Sequence, residues 1–126
     1  MPAKTVEYWF EFASTYSYLS TMRLPELARA AGVTVVWRPF LLGPIFAAQG
    51  WNTSPFNLYA AKGAYMWRDM ERQCENYGLE LHRPDPFPQN SLLPARVALV
   101  APQGAAKVAF CQTVYLAQFS PPQETS

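Results

Sequence analysis

The chain has 126 residues, half of them hydrophobic, and a formal net charge of +1 at neutral pH. This length and composition are typical of one globular domain and exclude an intrinsically disordered chain. The near-neutral charge gives no electrostatic reason to expect nucleic acid or an anionic membrane as a partner, and no apolar run reaches the roughly 20 residues of a membrane span.

The first part of the chain predicts a strand, a helix and a second strand. Residues 5–12 are aromatic and partly alternating, so we expect a mostly buried strand there. Ser14 or Thr15 then caps a helix with a broad apolar stripe, in which Pro25 predicts a kink or a restart. Residues 33–38 are rich in β-branched side chains and predict the second strand. A crossover of this length implies a parallel pair in a right-handed βαβ unit.

The rest of the chain predicts helices joined by loops. Residues 39–57 contain several glycines and prolines and predict a long loop with room for a short helix over 45–49. Helices are then predicted over residues 58–77, 92–101 and 105–119, with Asn90 or Ser91 as the cap of the second. A two-stranded parallel sheet is too small to be a complete α/β domain, so we expect something else to complete it.

The junction between the first strand and the first helix offers the clearest chemistry. Ser14 and Ser17 have the spacing of the two thiols in a C-x-x-C motif. A strand-to-helix junction exposes backbone N–H groups and the positive end of a helix dipole, which together can hold an anion such as a thiolate. An ordinary N-cap is the simpler interpretation of Ser14. If Ser14 acts in chemistry, we expect a hydrogen-bond donor to a thiol from another molecule, because no cysteine lies nearby.

Other candidate residues have simple structural interpretations. Without further information, Lys62 is a solvated lysine on a helix, Asn52 is a turn residue and the single histidine, His82, is a surface or packing residue. Cys74 and Cys111 form no metal or redox motif and fit small core positions, so a reduced cytoplasmic setting is the default. Large aromatic side chains are core residues by default, which applies here to Trp9, Trp37, Trp51, Trp67, Tyr65 and Phe87.

Four segments of the chain resemble one known family. Residues 10–19 (F-E-F-A-S-T-Y-S-Y-L) are similar to the F-D-x-x-S-P-Y-S-Y-L signature of 2-hydroxychromene-2-carboxylate isomerases and the related kappa-class glutathione transferases. Both groups belong to the DsbA-like branch of the thioredoxin superfamily. The other similar segments are residues 37–46, residues 61–69 with a K-x-x-Y-x-x-x-D pattern, and residues 87–92 (F-P-Q-N-S-L). Together with Ala95 and Arg96, the last segment resembles the family's F-P-x-N-S-L-x-A-x-R connector.

The resemblance implies a function for several residues. By motif match, Ser14 resembles the serine that activates the thiol of glutathione, Asn52 and Lys62 resemble residues that bind glutathione, and Asn90 and Ser91 lie on the substrate side. The implied reaction is isomerisation of 2-hydroxychromene-2-carboxylate to trans-o-hydroxybenzylidenepyruvate by reversible thiolate addition, in the degradation of aromatic compounds. The implied protein is a cytoplasmic homodimer that uses glutathione as cofactor and takes a small aromatic or conjugated-acid substrate.

The resemblance also implies the organisation of the chain. The expected fold is α/β: residues 1–44 form the N-terminal βαβ part of a thioredoxin-like domain, residues 45–119 form the helical insertion of the DsbA-like family, and residues 120–126 form a disordered tail. The family's chain then returns to complete the sheet, and nothing in residues 102–126 resembles that return. The sequence therefore looks like a C-terminally truncated member, with the second half of the thioredoxin sheet absent.

Three alternatives to the isomerase remain open at the level of sequence. A kappa-like glutathione transferase would use the same Ser14 chemistry on a different electrophile. An inactive truncated remnant would bind no glutathione, because part of the family's site is missing. A DsbA-type disulfide oxidoreductase is disfavoured, since neither Ser14 nor Ser17 can form a disulfide.

Overall fold

The computed structural model describes residues 4–121, which form two strands and six helices. In chain order these are β1 (Thr5–Phe10), α1 (Thr15–Ala31), β2 (Thr34–Pro39), α2 (Leu42–Ala48), α3 (Pro55–Leu58), α4 (Ala60–Tyr77), α5 (Leu92–Val100) and α6 (Ala105–Phe119). Of the predicted tail, residues 122–126 lie outside the described residues. Among residues 4–121, no helix combines the length and the apolar character that a membrane crossing requires.

The two strands pair in parallel, as the βαβ pattern predicts. The register runs from Thr5 opposite Thr34 to Phe10 opposite Pro39. Along its other edge, β2 is covered by a side chain: the backbone N–H of Trp37 donates to Gln103 Oε1, and Gln103 Nε2 donates to the carbonyl of Trp37, both at 3.0 Å. Gln103 thus occupies the place of a neighbouring strand at that point, which blunts one edge of the sheet.

Helix α1 continues through Pro25 as one helix, so the predicted restart is wrong, whereas the alternative of a kink stays a prediction. Proline lacks the N–H that would bond to the carbonyl four residues earlier, which belongs to Thr21. Here that carbonyl accepts a hydrogen bond from Gln112 Nε2 of α6 at 3.4 Å. Tertiary packing therefore satisfies the group that the proline leaves free. The helix ends at Gly32, whose φ of 67° forms a left-handed cap.

Residues 39–57 are more ordered than the predicted loop. Helix α2 begins three residues before the short helix expected over 45–49, and α3 is an additional short helix. The early start has a physical cause, because the backbone N–H of Leu42 donates to the carboxylate of Glu11 at 2.7 Å. Helix α3 is capped by Ser54, whose hydroxyl accepts from the N–H of Phe56 at 3.1 Å. The later helices follow the predicted ranges closely.

The core lies between the sheet, α1, α4 and α6, and it is strongly aromatic. The fully buried side chains at its centre include Phe10, Phe12, Tyr18, Met66, Met70, Tyr115 and Phe119. Three residues assigned to the core by default are not there: Trp9 is 54% exposed, Tyr65 is 74% exposed, and the half-buried Trp51 lies outside the core cluster. Trp9 lies on β1 with the guanidinium of Arg38 5.7 Å from its ring centre, and Tyr65 lies on the outer side of α4.

Gly63 holds α3 and α4 in close contact. A Cβ atom at this position would overlap the backbone carbonyl oxygen of Phe56. We therefore expect Gly63→Ala to destabilise the protein by about 1–3 kcal/mol, although alanine ordinarily favours a helix over glycine. The matched control is Gly43→Ala in α2, where no atom lies within 4 Å and a neutral or stabilising change is expected. Urea unfolding of both variants checks this, and equal midpoints would contradict the close contact.

Burial raises the pKa of the Cys111 thiol from 9.0 to about 11. The folded state then holds this proton more tightly than the unfolded state, so its contribution to stability is fully present below pH 9.0 and is lost as the pH rises towards about 11. We expect the free energy of unfolding to fall across this window, and to fall less steeply in Cys111→Ala. Urea unfolding at the two ends of the window measures both slopes; identical slopes would contradict the shift.

Candidate functional site

A cavity of about 690 Å³ lies beyond the carboxyl ends of β1 and β2. Four segments of the chain line it: residues 11–15 after β1, residues 41–47 after β2, residues 51–57 around α3, and residues 86–92 before α5. The volume is within the range of small-molecule sites, and the end of parallel strands is where such sites are common. Aromatic rings form much of the wall, contributed by Phe46, Trp51, Phe56 and Phe87.

Ser14 lies in the cavity wall as the N-cap of α1. Its Oγ accepts a hydrogen bond from the N–H of Ser17 at 3.2 Å, and its backbone N–H donates to the carbonyl of Glu11 at 3.0 Å. The predicted cap is thus confirmed. Because the oxygen acts as the acceptor in this cap, the hydroxyl proton of Ser14 remains available to a ligand. The first turn of α1 adds the positive end of the helix dipole at the same place.

Three more of the predicted site residues line the same cavity. Asn52, Asn90 and Ser91 all contribute to its wall, on two segments that are distant from Ser14 in sequence. Asn90 Oδ1 accepts from the N–H of Leu92 at 3.0 Å and so supplies the cap of α5, whereas Ser91 makes no side-chain cap. The fold therefore brings four of the five predicted residues together.

Lys62 is the predicted residue that does not line the cavity. It is exposed in the first turn of α4, and its Nζ lies 5.9 Å from the ring centre of Phe56. Phe56 is a lining residue of the cavity and Lys62 is not. The ammonium group of Lys62 is therefore near an aromatic residue of the wall but does not itself form part of the wall. In this conformation Lys62 contributes charge near the site without direct access to it.

Glu11 is the residue that sequence reasoning missed. It is 3% exposed, and its carboxylate accepts from the N–H of Ala13 at 3.1 Å, from the N–H of Leu42 at 2.7 Å and from the hydroxyl of Ser91. Its backbone carbonyl also accepts from the hydroxyl of Tyr115 at 2.9 Å. One side chain therefore ties three of the four lining segments together. The available signal was a charged residue between two buried phenylalanines, Phe10 and Phe12, at the end of β1.

The polar side chains that line the cavity are mostly uncharged. Among residues 4–121, Glu11 is the only lining residue with an ionisable side chain. Within this described part of the chain, an anionic ligand group would therefore depend on hydroxyl and backbone N–H donors and on the α1 dipole. Glu11 itself is compensated by its three donors, which limits its repulsion of a nearby anion.

Two tyrosines close to the junction are excluded as bases at neutral pH. Burial and the hydrogen bond to Asp69 raise the pKa of Tyr16 to about 12, and its hydroxyl donates to Asp69 Oδ2 at 2.7 Å. Burial raises the pKa of Tyr18 to about 12, and its hydroxyl donates to the carbonyl of Glu80 at 2.7 Å. Both phenols remain protonated, so Ser14 has no tyrosinate beside it that could take a proton.

The comparison with protein families agrees with this geometry. Residues 5–125 match the model of the DSBA-like thioredoxin domain. The chain belongs to the DsbA-like thioredoxin family. The predicted fold class is thereby confirmed, including the partial sheet: this DsbA-like domain has the βαβ unit and the helices, with two strands among its described residues.

Two similar curated proteins share one name. This DsbA-like chain is 35% identical over 85 residues to a 2-hydroxychromene-2-carboxylate isomerase of Sphingobium xenophagum, and 34% identical over 77 residues to one of Pseudomonas putida. The alignments cover 67% and 60% of this chain but only 43% and 37% of those relatives. The chain thus spans less than half of the length of the curated relatives it matches.

A solved structure gives the same result for the fold. A selenomethionine form of a 2-hydroxychromene-2-carboxylate isomerase superposes with a TM-score of 0.79 at 27% sequence identity. The superposition covers 92% of this DsbA-like chain and 56% of the other chain. The recognised family resemblance is therefore confirmed in both sequence and structure.

Proposed function

We propose that this chain acts in the glutathione-dependent isomerisation of 2-hydroxychromene-2-carboxylate to trans-o-hydroxybenzylidenepyruvate. The observation that carries the proposal is the position of Ser14, a capped serine with a free hydroxyl proton in the wall of a cavity of about 690 Å³. The names of the relatives supply the reaction. Because the chain spans less than half of those relatives, the activity is a proposal for the chain as it stands.

The donor set of the cavity fits the thiol end of glutathione. A thiolate needs hydrogen-bond donors and a positive potential, and Ser14 and the first turn of α1 offer both. Bound glutathione would supply a thiolate that adds reversibly to the conjugated double bond, so that the bond can rotate before the thiolate leaves. Since no basic residue among 4–121 lines the cavity, we place the carboxylates of glutathione towards solvent or towards Lys62.

The chain's own residues would then have separate tasks. Ser14 donates to the sulfur and lowers the free energy of the thiolate relative to the thiol. Asn52 offers an amide to the polar backbone of the peptide. Asn90 and Ser91, on the segment before α5, face the substrate together with the ring of Phe87, which packs edge-on against Trp67 with 5.0 Å between ring centres. The aromatic wall excludes water from a flat conjugated substrate.

Spectrophotometric isomerisation of 2-hydroxychromene-2-carboxylate by the full chain, with and without glutathione, tests the proposal. We expect a rate that requires both the protein and glutathione. A parallel assay with an aryl halide acceptor tests for a transferase. No protein-dependent isomerisation at millimolar glutathione, or an equal rate when glutathione is omitted, would overturn the proposed function.

The cellular compartment, the oligomeric state and the pathway of the protein are also proposals. Cys74 and Cys111 are both free, buried thiols, which supports a reducing compartment such as the cytoplasm. Several large apolar side chains are exposed on α5, with Leu93 at 72% and Val100 at 83%, which supports association with further protein surface and hence the expected homodimer. Degradation of aromatic compounds follows only from the proposed substrate.

A further inference from the structure

Two serine hydroxyls in the cavity have opposite hydrogen-bonding capacity. Ser14 Oγ accepts the N–H of Ser17, so its own proton is free. Ser91 is 8% exposed, and its hydroxyl proton is donated to Glu11 Oε1. A hydroxyl has one proton and two lone pairs. Ser14 therefore offers the cavity a donor, whereas Ser91 retains only acceptor capacity.

The direction of the Ser91 hydrogen bond is fixed by the neighbours of Glu11. Its Oε1 also accepts from the backbone N–H of Ala13 at 3.1 Å, and its Oε2 accepts from the backbone N–H of Leu42 at 2.7 Å. Backbone N–H groups can only donate, so both carboxylate oxygens act as acceptors. An ionised carboxylate has no proton to donate, so the hydroxyl of Ser91 supplies the proton of its hydrogen bond to Glu11 Oε1.

We propose that Ser91 accepts a hydrogen bond from the bound ligand, and that Glu11 is the positioning residue that makes Ser91 an acceptor. This inference rests on the proposed function and adds a chemical requirement to it. The ligand must carry a neutral donor, a hydroxyl or an amide N–H, in addition to the acceptor group that faces Ser14. An ionised phenolate is disfavoured at Ser91, because it has no proton to donate and lies close to the charge of Glu11.

Two molecules of the proposed reaction carry such a donor, and binding measurements distinguish them. One arm compares trans-o-hydroxybenzylidenepyruvate with its o-methoxy counterpart, which keeps the oxygen but lacks the proton. The other arm measures glutathione affinity by calorimetry. Both arms use wild type, Ser91→Ala, Ser91→Thr and Glu11→Gln. Ser20→Ala is the matched control, since this exposed serine donates to the carbonyl of Tyr16 within α1 and does not line the cavity.

Ser91→Ala is expected to lower one of two quantities by roughly 2- to 10-fold, the loss of one neutral hydrogen bond. A fall in the hydroxy-to-methoxy preference assigns the donor to the phenol of the substrate, and a fall in glutathione affinity assigns it to the peptide. Ser91→Thr keeps the hydroxyl and should retain the wild-type values. Because Ser91→Ala also makes room for the methyl group, the comparison with Ser91→Thr, which keeps the hydroxyl and adds bulk, separates the lost hydrogen bond from relief of crowding.

Glu11→Gln tests the positioning role separately. Glutamine keeps the size of the side chain but replaces one acceptor oxygen with an amide donor. The N–H groups of Ala13 and Leu42 and the hydroxyl of Ser91 then share a single acceptor oxygen, so the hydrogen bond from Ser91 is weaker. We expect the affected quantity to lie between the wild-type and Ser91→Ala values. A purely structural role would change the stability of the protein and leave the ligand preference unchanged, and that result would remove Glu11 from the proposal.

The outcomes separate this inference from the proposed function. Ligand binding that is identical in wild type and Ser91→Ala in both arms overturns the inference, even if isomerisation is observed. A Ser91-dependent change in binding without any isomerisation supports the inference and overturns the proposed function. Wild-type protein that binds neither ligand overturns both.

Discussion

Ser14→Ala is expected to lower kcat/KM for the isomerisation by roughly 10- to 100-fold. The substitution removes the one side-chain donor that the N-cap geometry directs towards a bound thiolate, and a hydrogen bond to a charged group contributes about 1.5–3 kcal/mol. No basic side chain of the described residues lines the cavity to compensate, because Glu11 is the only ionisable lining residue among them. Initial rates over a range of glutathione concentrations measure the loss.

Ser14 is also a helix cap, so the loss of rate must be separated from the loss of stability. Removing the cap costs about 1 kcal/mol with alanine but only a few tenths with glycine. We therefore expect Ser14→Gly to keep most of the wild-type stability and to lose as much activity as Ser14→Ala. Ser14→Thr keeps a hydroxyl, so it should retain part of the capping and part of the activity. Activity in Ser14→Gly close to that of wild type would show that the serine is a cap and nothing more.

Tyr115→Ala is expected to destabilise the protein by about 3–5 kcal/mol, a large part of the stability of a domain of this size. The side chain is fully buried and packs against the rings of Phe12, Tyr18 and Phe119. Its removal would leave a cavity at the centre of the aromatic core. Urea unfolding followed by tryptophan fluorescence measures the change in the midpoint.

The controls for Tyr115 separate packing from hydrogen bonding. Tyr115→Phe removes only the hydroxyl that donates to the carbonyl of Glu11, and this carbonyl also accepts from the N–H of Ser14. The expected cost is therefore at the low end of 0.5–1.5 kcal/mol, or about 0.5 kcal/mol. Tyr65→Ala, at an exposed position of α4, should change stability by less than about 0.5 kcal/mol. Comparable losses in Tyr65→Ala and Tyr115→Ala would contradict the assignment of the core.

The local patterns of the sequence were sufficient for the βαβ unit and for the Ser14 cap. Both depend on neighbours within a few residues: an aromatic strand, a hydroxyl before a helical stripe, and a glycine at its end. Two local predictions were wrong, the restart of α1 at Pro25 and the start of α2, and at both places the structure has a contact with a residue distant in sequence. At Pro25 in α1, Gln112 donates to the carbonyl that the proline leaves free, and at the start of α2 the N–H of Leu42 donates to Glu11, which lies 31 residues away.

In the candidate site too, local sequence motifs predicted some residues, whereas roles that depend on distant contacts were not predicted. Ser14, Asn52, Asn90 and Ser91 were named from motif resemblance, and the fold brings all four to one cavity wall. The role of Glu11 was not predictable from its neighbours, because two of its three partners, Leu42 and Ser91, are supplied by other segments. Lys62 has the expected position in the sequence but lies on the ring of Phe56 rather than in the cavity.

The proposed function depends most on one property of the Ser14 junction, which is that it holds the thiolate of another molecule. A pH titration of the ultraviolet absorbance of thiolate, with glutathione bound to the full chain, tests it directly. We predict that the bound thiol has a pKa below the value of about 8.5 for a free thiol, and that the shift is lost in Ser14→Gly. A bound thiol with the pKa of free glutathione, or an equal shift in Ser14→Gly, would contradict the claim.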